Sequence, residues 1–239
     1  MTEVNEKGLW DRLHKPVDLS ALGQRIFVLE NYFDNVDEIR AYSLTKTFGP
    51  ARRGTADGAY TSGAWKGYKT DKFTEETELE KNIISKIKDT LKVELPNVNV
   101  DSYRFEAYFQ YMLESTKETF EPSFEENPFH RDAGYKEYAG VIYLNPGVDP
   151  KYGTNVNGEF VENIYNRFVC YPAHAWHGPA DMFGDSVETA RMALVFFLYE
   201  NLPDRMPTGG AYNESETTRQ TTSPIDPDLR ATLMASKLS

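Results

Sequence analysis

The chain lacks several things, and each lack removes a class of protein. It has one cysteine, Cys170, in 239 residues, so no internal disulfide can form and a reducing compartment is expected. That thiol lies in the run Phe168-Val169-Cys170-Tyr171 and reads as an inert strand residue rather than a nucleophile. No apolar run approaches the ~20 residues needed to cross a bilayer. The polar start, Met1-Thr2-Glu3-Val4-Asn5, has no apolar signal segment behind it, so a cytoplasmic protein without a membrane partner is expected. Positive charge is short as well: 26 Lys and Arg stand against 37 Asp and Glu, a net charge of −11. Such a balance repels a phosphate backbone, so nucleic acid is not an expected partner. Arg52, Arg53, Lys66 and Lys69 read as solvated loop charges. The chain has no internal repeat and no His-Glu-x-x-His segment, which sets aside repeat scaffolds and the helical zinc-protease site.

What the chain does have is aromatic residues, with 15 Tyr and 14 Phe, which fits a β-rich core. Residues 1–24 read as a loosely attached leader. A domain is expected over residues 25–200, and residues 201–239 form a polar extension with a short terminal helix at 226–238. Within the domain, residues 25–30 read as a strand. A short helix at 38–45 follows, with a side-chain cap at Asn35 or Asp37. Residues 48–72, rich in Gly, Thr and Arg, read as a long loop that could cover a site. Thr74 is expected to open a second helix, in which Leu79, Ile83, Ile84, Ile87 and Leu91 form one apolar face that ends at Pro96.

From Val98 the period changes to two. One or two strands run to Tyr111, and an acidic loop follows at 114–128. Further strands are expected around 129–132, 139–144, 159–164, 166–171 and 191–200. Turns at Asn145-Pro146-Gly147, Lys151-Tyr152-Gly153, Gly178-Pro179 and Phe183-Gly184-Asp185 separate them. Helices followed by many short strands point to an α+β protein with a β-sandwich or jelly-roll core of about residues 98–200.

The chemistry concentrates in that core. His130 and Asp132 are two apart in a strand, so both side chains point to one face and can reach one ion. A third ligand must come from farther along the chain, and His177 and His174 are the candidates. Two imidazoles and a carboxylate on one side of a metal leave the opposite side open, the pattern of non-haem iron oxygenases. Alone, His-x-Asp is weak, and a surface pair is the better reading of it. Arg191 adds weight because it alternates with Ala193, Val195, Phe197 and Tyr199 on one strand face. A guanidinium on an apolar face needs a carboxylate, either the protein's own or a ligand's.

Taken together, His130-x-Asp132, His177 and Arg191 resemble the Fe(II)- and 2-oxoglutarate-dependent oxygenases, in particular their prolyl-hydroxylase-like branch. The resemblance spans roughly residues 100–200. Val141-Ile142-Tyr143-Leu144-Asn145-Pro146 is similar to the strand that follows His-x-Asp in that branch. Phe168 to Pro172 followed by Trp176-His177 is similar to the approach to the distal histidine. The resemblance implies a double-stranded β-helix (jelly-roll, cupin-like) core with N-terminal helices packed on it. It also implies His130, Asp132 and His177 as Fe(II) ligands at the catalytic centre. Arg191 and Tyr143 would hold 2-oxoglutarate, with Tyr111, or else Tyr108, beside it. His177 is preferred to His174, which with Trp176 becomes a pocket residue; Trp65 and Tyr60 are further candidates.

The reaction implied is a dioxygenase hydroxylation, with O2 and 2-oxoglutarate as co-substrates and succinate and CO2 as products. Asp132, where halogenases of the family have a small residue, points to hydroxylation. Two departures stand out. The Gly-Gly-x-Thr strand of the family is matched only in part by Tyr152-Gly153-Thr154, and the family's tyrosine shortly before His-x-Asp is matched by Tyr111 or Tyr108 only across the long acidic loop. No substrate signature is present, so a protein side chain and a small molecule remain equally open. Two rival readings are a zinc-dependent hydrolase, which gives Arg191 no task, and a non-catalytic cupin-like binding module, which gives the triad none.

Overall fold

The computed structural model describes residues 26–50, 67–119, 130, 132 and 136–199. Residues 1–24 and 201–239, and with them the expected leader, extension and terminal helix, lie outside the described residues. Among the described residues the main elements are two α-helices and two antiparallel sheets, joined in places by short 3-10 helices.

The larger sheet has seven strands. In chain order they are β1 (Phe27–Leu29), β2 (Gly49–Pro50), β3 (Tyr68–Lys69), β4 (Arg104–Met112), β5 (Lys136–Tyr143), β8 (Phe168–Pro172) and β10 (Arg191–Tyr199). Across the sheet the order is β1-β8-β5-β10-β4-β3-β2. The smaller sheet has three strands, β6 (Thr154–Val156), β7 (Glu159–Val161) and β9 (His177–Pro179), in the order β7-β6-β9.

The central strand β10 is buried along its whole length, and its alternation divides the core into two layers. Met192, Leu194, Phe196 and Leu198 face the helices and pack with Ile39, Ile83, Ile87 and Leu91. Ala193, Val195, Phe197 and Tyr199 face the other way, where Val156 and Val161 of the smaller sheet close over them. Each face of the strand therefore buries its own apolar row, which explains why β10 reads as an unbroken hydrophobic run.

Helix α1 spans Val36–Leu44 and α2 spans Glu78–Glu94. Both starts differ from expectation. Asn35 makes no side-chain cap; its backbone is at φ −114°, ψ 36°, and its amide donates to Glu38 Oε2 at 2.8 Å instead. For α2 the cap is Thr77, whose Oγ1 accepts from the Glu80 amide at 3.2 Å. Thr74 stays outside the helix because its own amide donates to the Glu80 carboxylate at 3.2 Å.

Three further expectations change. The ends of the supposed loop 48–72 pair as strands, Gly49 with Lys69 and Pro50 with Tyr68. Gly178-Pro179, read as a turn, belongs to β9, the edge strand of its sheet, where a missing amide donor is tolerated. The strand expected at 159–164 is only Glu159–Val161, and β6 before it was missed. Asn157 and Gly158 join β6 to β7 with φ of 49° and 86°, the two positive values of a type I′ hairpin turn.

Candidate metal centre

The backbone brings the two histidines together. His130 N donates to His177 O and His177 N to His130 O, both at 2.9 Å, an isolated antiparallel bridge. Directly opposed residues in such a bridge project to one side, and the two imidazole centroids are 4.5 Å apart. Two residues on, Asp132 N donates to Ala173 O at 3.0 Å, so this segment runs beside the turn that leads into β9. His130, Asp132 and His177 each offer a ligand atom within 4.8 Å of the others.

The protonation pattern suits a cation. His177 Nδ1 lies 2.9 Å from the Ala175 carbonyl, which can only accept. The proton therefore sits on Nδ1, and Nε2 presents its lone pair toward Asp132 Oδ2 at 3.4 Å. Burial lowers the His177 pKa, against the opposing pull of Asp132, and so favours the neutral ring a metal requires. For Asp132, burial alone would raise the pKa; the nearby Lys136 ammonium, foremost among the opposing influences, outweighs it and the carboxyl is held below its usual range. Lys136 Nζ is 2.6 Å from Oδ1. Oδ2 is buried and has no hydrogen-bond partner. A buried carboxylate oxygen with no hydrogen-bond partner beside an imidazole lone pair is an arrangement that a cation would satisfy, so these residues fit a metal ion.

Arg191 opens β10 on the same inner face, 4% exposed. Its Nε donates to Tyr152 O at 3.0 Å, and its Nη2 donates to Gly153 O at 3.1 Å and to Thr154 Oγ1 at 3.0 Å. None of these bonds uses Nη1, and among the described residues no carboxylate pairs with the guanidinium. Burial lowers its pKa, with the nearby tyrosines opposing. The guanidinium carbon lies 5.6 Å above the centre of the Tyr143 ring. Tyr143, fully buried, donates to Thr154 Oγ1 at 2.7 Å.

The remaining sequence candidates separate. Met192, on the helix-facing side, stands opposite Tyr111. Tyr111 shares that face, stacked on Tyr68 at 4.8 Å and edge-on to Phe48, and is turned away from Arg191. Tyr108 stands opposite Val195 and packs into the inner layer; burial, and then the Asp132 charge, raise its pKa. Of the two tyrosines, Tyr108 is therefore the one on the inner face with Arg191, and Tyr111 is on the opposite face. His174 is half-buried in the turn before β9 and is not among the three grouped ligands. Trp176 is buried, with its backbone amide donating to Asn157 Oδ1 at 2.8 Å. Trp65 and Tyr60 lie outside the described residues. Cys170 is buried on the helix side, and burial pushes its thiol pKa well up.

Reading the sequence gave Thr154 only as part of a partial strand match, with no role, and missed Tyr171 and Lys136. Thr154 could have been placed from the Asn157-Gly158 turn, which fixes the register of β6 against β7. Tyr171, whose ring is 4.8 Å from that of His177, carries no local signal, and neither does Lys136.

No family model matches the chain, and neither does any curated protein. Solved structures do match. The fold is that of the Fe(II)- and 2-oxoglutarate-dependent oxygenases, which bears out the resemblance at the level of architecture. An oxidoreductase of the 2OG-Fe(II) oxygenase family from Burkholderia pseudomallei is similar at TM-score 0.52 and 16% identity, over 84% of this chain and 94% of that one. A prolyl-4-hydroxylase from Pseudomonas putida is similar at TM-score 0.51 and 14% identity, over 77% of this chain and 96% of that one. No helix among the described residues is long and apolar enough to cross a membrane.

Proposed function

We propose that the protein is an Fe(II)- and 2-oxoglutarate-dependent dioxygenase, a hydroxylase, built on a double-stranded β-helix core. His130, Asp132 and His177 would hold the iron; Arg191, Tyr143 and Thr154 would hold the distal carboxylate of 2-oxoglutarate. The observation that carries this reading is the buried Arg191, without a carboxylate partner among the described residues, on the same inner face as a His-Asp-His group with an orphaned oxygen. A buried guanidinium without a counter-charge is costly, and a bound carboxylate would supply one.

Iron with 2-oxoglutarate would supply oxygen activation, releasing succinate and CO2 as the substrate is oxidised. The chain's own residues supply the setting. Ala175 holds His177 in the tautomer that exposes Nε2. Tyr152, Gly153 and Thr154 fix the guanidinium plane before a ligand arrives, so little freedom is lost on binding. Tyr108, Tyr171 and Phe197 line the inner layer with aromatic surface that excludes water around the centre. A small molecule or a protein side chain is the proposed substrate.

The test is anaerobic addition of Fe(II) and 2-oxoglutarate, followed by visible spectroscopy. A weak charge-transfer band that needs both additions is expected, and it should be lost in His130→Ala. Tight zinc binding with no band and no succinate on admitting O2 would instead favour the hydrolase reading.

A further inference from the structure

Lys136 does not point where simple alternation would send it. It is the first residue of β5, where Ala139, Val141 and Tyr143 share the inner face. By period two, Glu137 should join them and Lys136 should face the helices. The register breaks first. Leu198 of β10 pairs with Tyr138, but Tyr199 pairs with Lys136, so Glu137 is the extra residue of a β-bulge. Bulges of this kind re-aim a side chain and are frequent beside active sites. Here the bulge swings Lys136 onto the inner face, its ammonium 3.7 Å from the centre of the Phe197 ring and 6.0 Å from that of Tyr199. Its side chain is 17% exposed, and it ends 2.6 Å from Asp132 Oδ1.

We propose that Lys136 is a positioning residue for the metal centre: by holding Asp132 Oδ1, it leaves Oδ2 as the single carboxylate oxygen offered to the ion. This rests on the metal-centre reading above. Three features support it. The two oxygens of one carboxylate differ, since one is paired with a cation and the other is orphaned toward His177. The lysine is held by two aromatic rings, so it cannot easily swing away. The bulge that brings it there interrupts an otherwise regular pairing of β5 with β10. A carboxylate that gave both oxygens would occupy a second position on the cation, one of those that co-substrate and dioxygen need.

The test uses the full chain with Co(II) and no O2, comparing wild type with Lys136→Met and Lys136→Arg. Lys136→Met should bind Co(II) at least as tightly as wild type, yet take 2-oxoglutarate about tenfold more weakly, with Lys136→Arg restoring most of the loss. Unchanged 2-oxoglutarate affinity in Lys136→Met would overturn the proposal. So would a parallel loss of Co(II) binding, which would mean the lysine merely maintains the carboxylate. A second measurement needs no folded lysine variant. In the wild-type infrared difference spectrum with Co(II), with Asp132→Asn as the blank, the antisymmetric and symmetric carboxylate stretches should be widely separated. A narrow separation, the signature of both oxygens on the ion, overturns the proposal. Failure of the wild type to bind Co(II) would sink the metal-centre reading along with it, whereas the other adverse results bear on Lys136 alone.

Discussion

Arg191 and Tyr143 meet at one hydroxyl. The guanidinium donates to Thr154 Oγ1 at 3.0 Å and the phenol donates to the same oxygen at 2.7 Å, so two strands of the large sheet are tied to β6 of the small one at a single atom. The two groups proposed to bind a carboxylate are thus oriented by a third, before any ligand is present.

Arg191→Met should leave Co(II) binding intact and weaken 2-oxoglutarate by about a hundredfold, since a charge-assisted pair in a buried site is lost. Thr154→Val should act in the same direction and by less, because it only frees the guanidinium and the phenol. Titration of 2-oxoglutarate into the Co(II)-loaded protein checks both. Unchanged affinity in Arg191→Met would mean that the arginine has another task.

His177→Ala should abolish Co(II) binding, and His174→Ala should leave it within about threefold, because His174 sits in the turn and outside the ligand group. Metal titration by calorimetry distinguishes them. The reverse pattern would move the third ligand to His174.

Tyr108→Ala should raise the KM for 2-oxoglutarate or substrate, and losing its contact with Phe197 should cost stability as well. Tyr111→Ala should leave the KM unchanged while costing about 2 kcal/mol as the Tyr68 and Phe48 contacts are lost. Urea unfolding and steady-state kinetics on the two variants read this directly. A kinetic effect confined to Tyr111→Ala would contradict the face assignment.

Glu80 ties α1 to α2 by accepting from Tyr42 Oη at 2.8 Å and Lys46 Nζ at 3.0 Å. Burial would raise its pKa, but these donors outweigh burial and hold it below the ordinary 4.5. A depressed carboxyl contributes stability that is fully present above the ordinary value and is lost as pH falls through the folded-state value. Stability should therefore decline on acidification below about pH 4.5, and Glu80→Gln should flatten that decline. Thermal unfolding across pH 3 to 6 (roughly the window set by the shift) measures the difference. Equal slopes in the two proteins would remove Glu80 from the account.

Gly140→Ala should destabilise the fold by roughly 1–3 kcal/mol, because a Cβ there would collide with the Phe196 ring and stand 2.6 Å from Val169 O. Denaturant midpoints test it, and a stabilised variant would show that β5 and β8 have room to part.

Much of the fold was legible because its signals are local. The apolar face of α2 follows from Ile83, Ile87 and Leu91 at helical spacing, and β4, β5, β8 and β10 follow from runs long enough to show their period. The helix starts were less legible. Thr74 and Thr77 are chemically alike, and the choice between them depends on where the Glu80 carboxylate lies. The strands β2, β3, β6 and β9 have two or three residues each, too few to show any period, so only their pairing partners make them strands.

By itself the sequence placed Arg191 on one strand face with Ala193, Val195, Phe197 and Tyr199, since side-chain direction along a strand needs only counting by twos; the strand it suggested for His130 and Asp132 is a single bridge to His177. Which face is inward is a different matter. Tyr108 and Tyr111 lie on opposite faces of one strand, and only the register of β4 on β10 says that Tyr108 faces the site. Where the counting fails, as at Glu137, the cause is a bulge set by the neighbouring strand. Lys136 therefore reaches Asp132 for a reason that no stretch of local sequence contains. Thr154 is placed by a hairpin, and His177 by its bridge to a residue far earlier in the chain. The tertiary structure decided these because each depends on a partner strand, and the free energy of that pairing comes from the apolar layers on both sides of β10 rather than from the site itself.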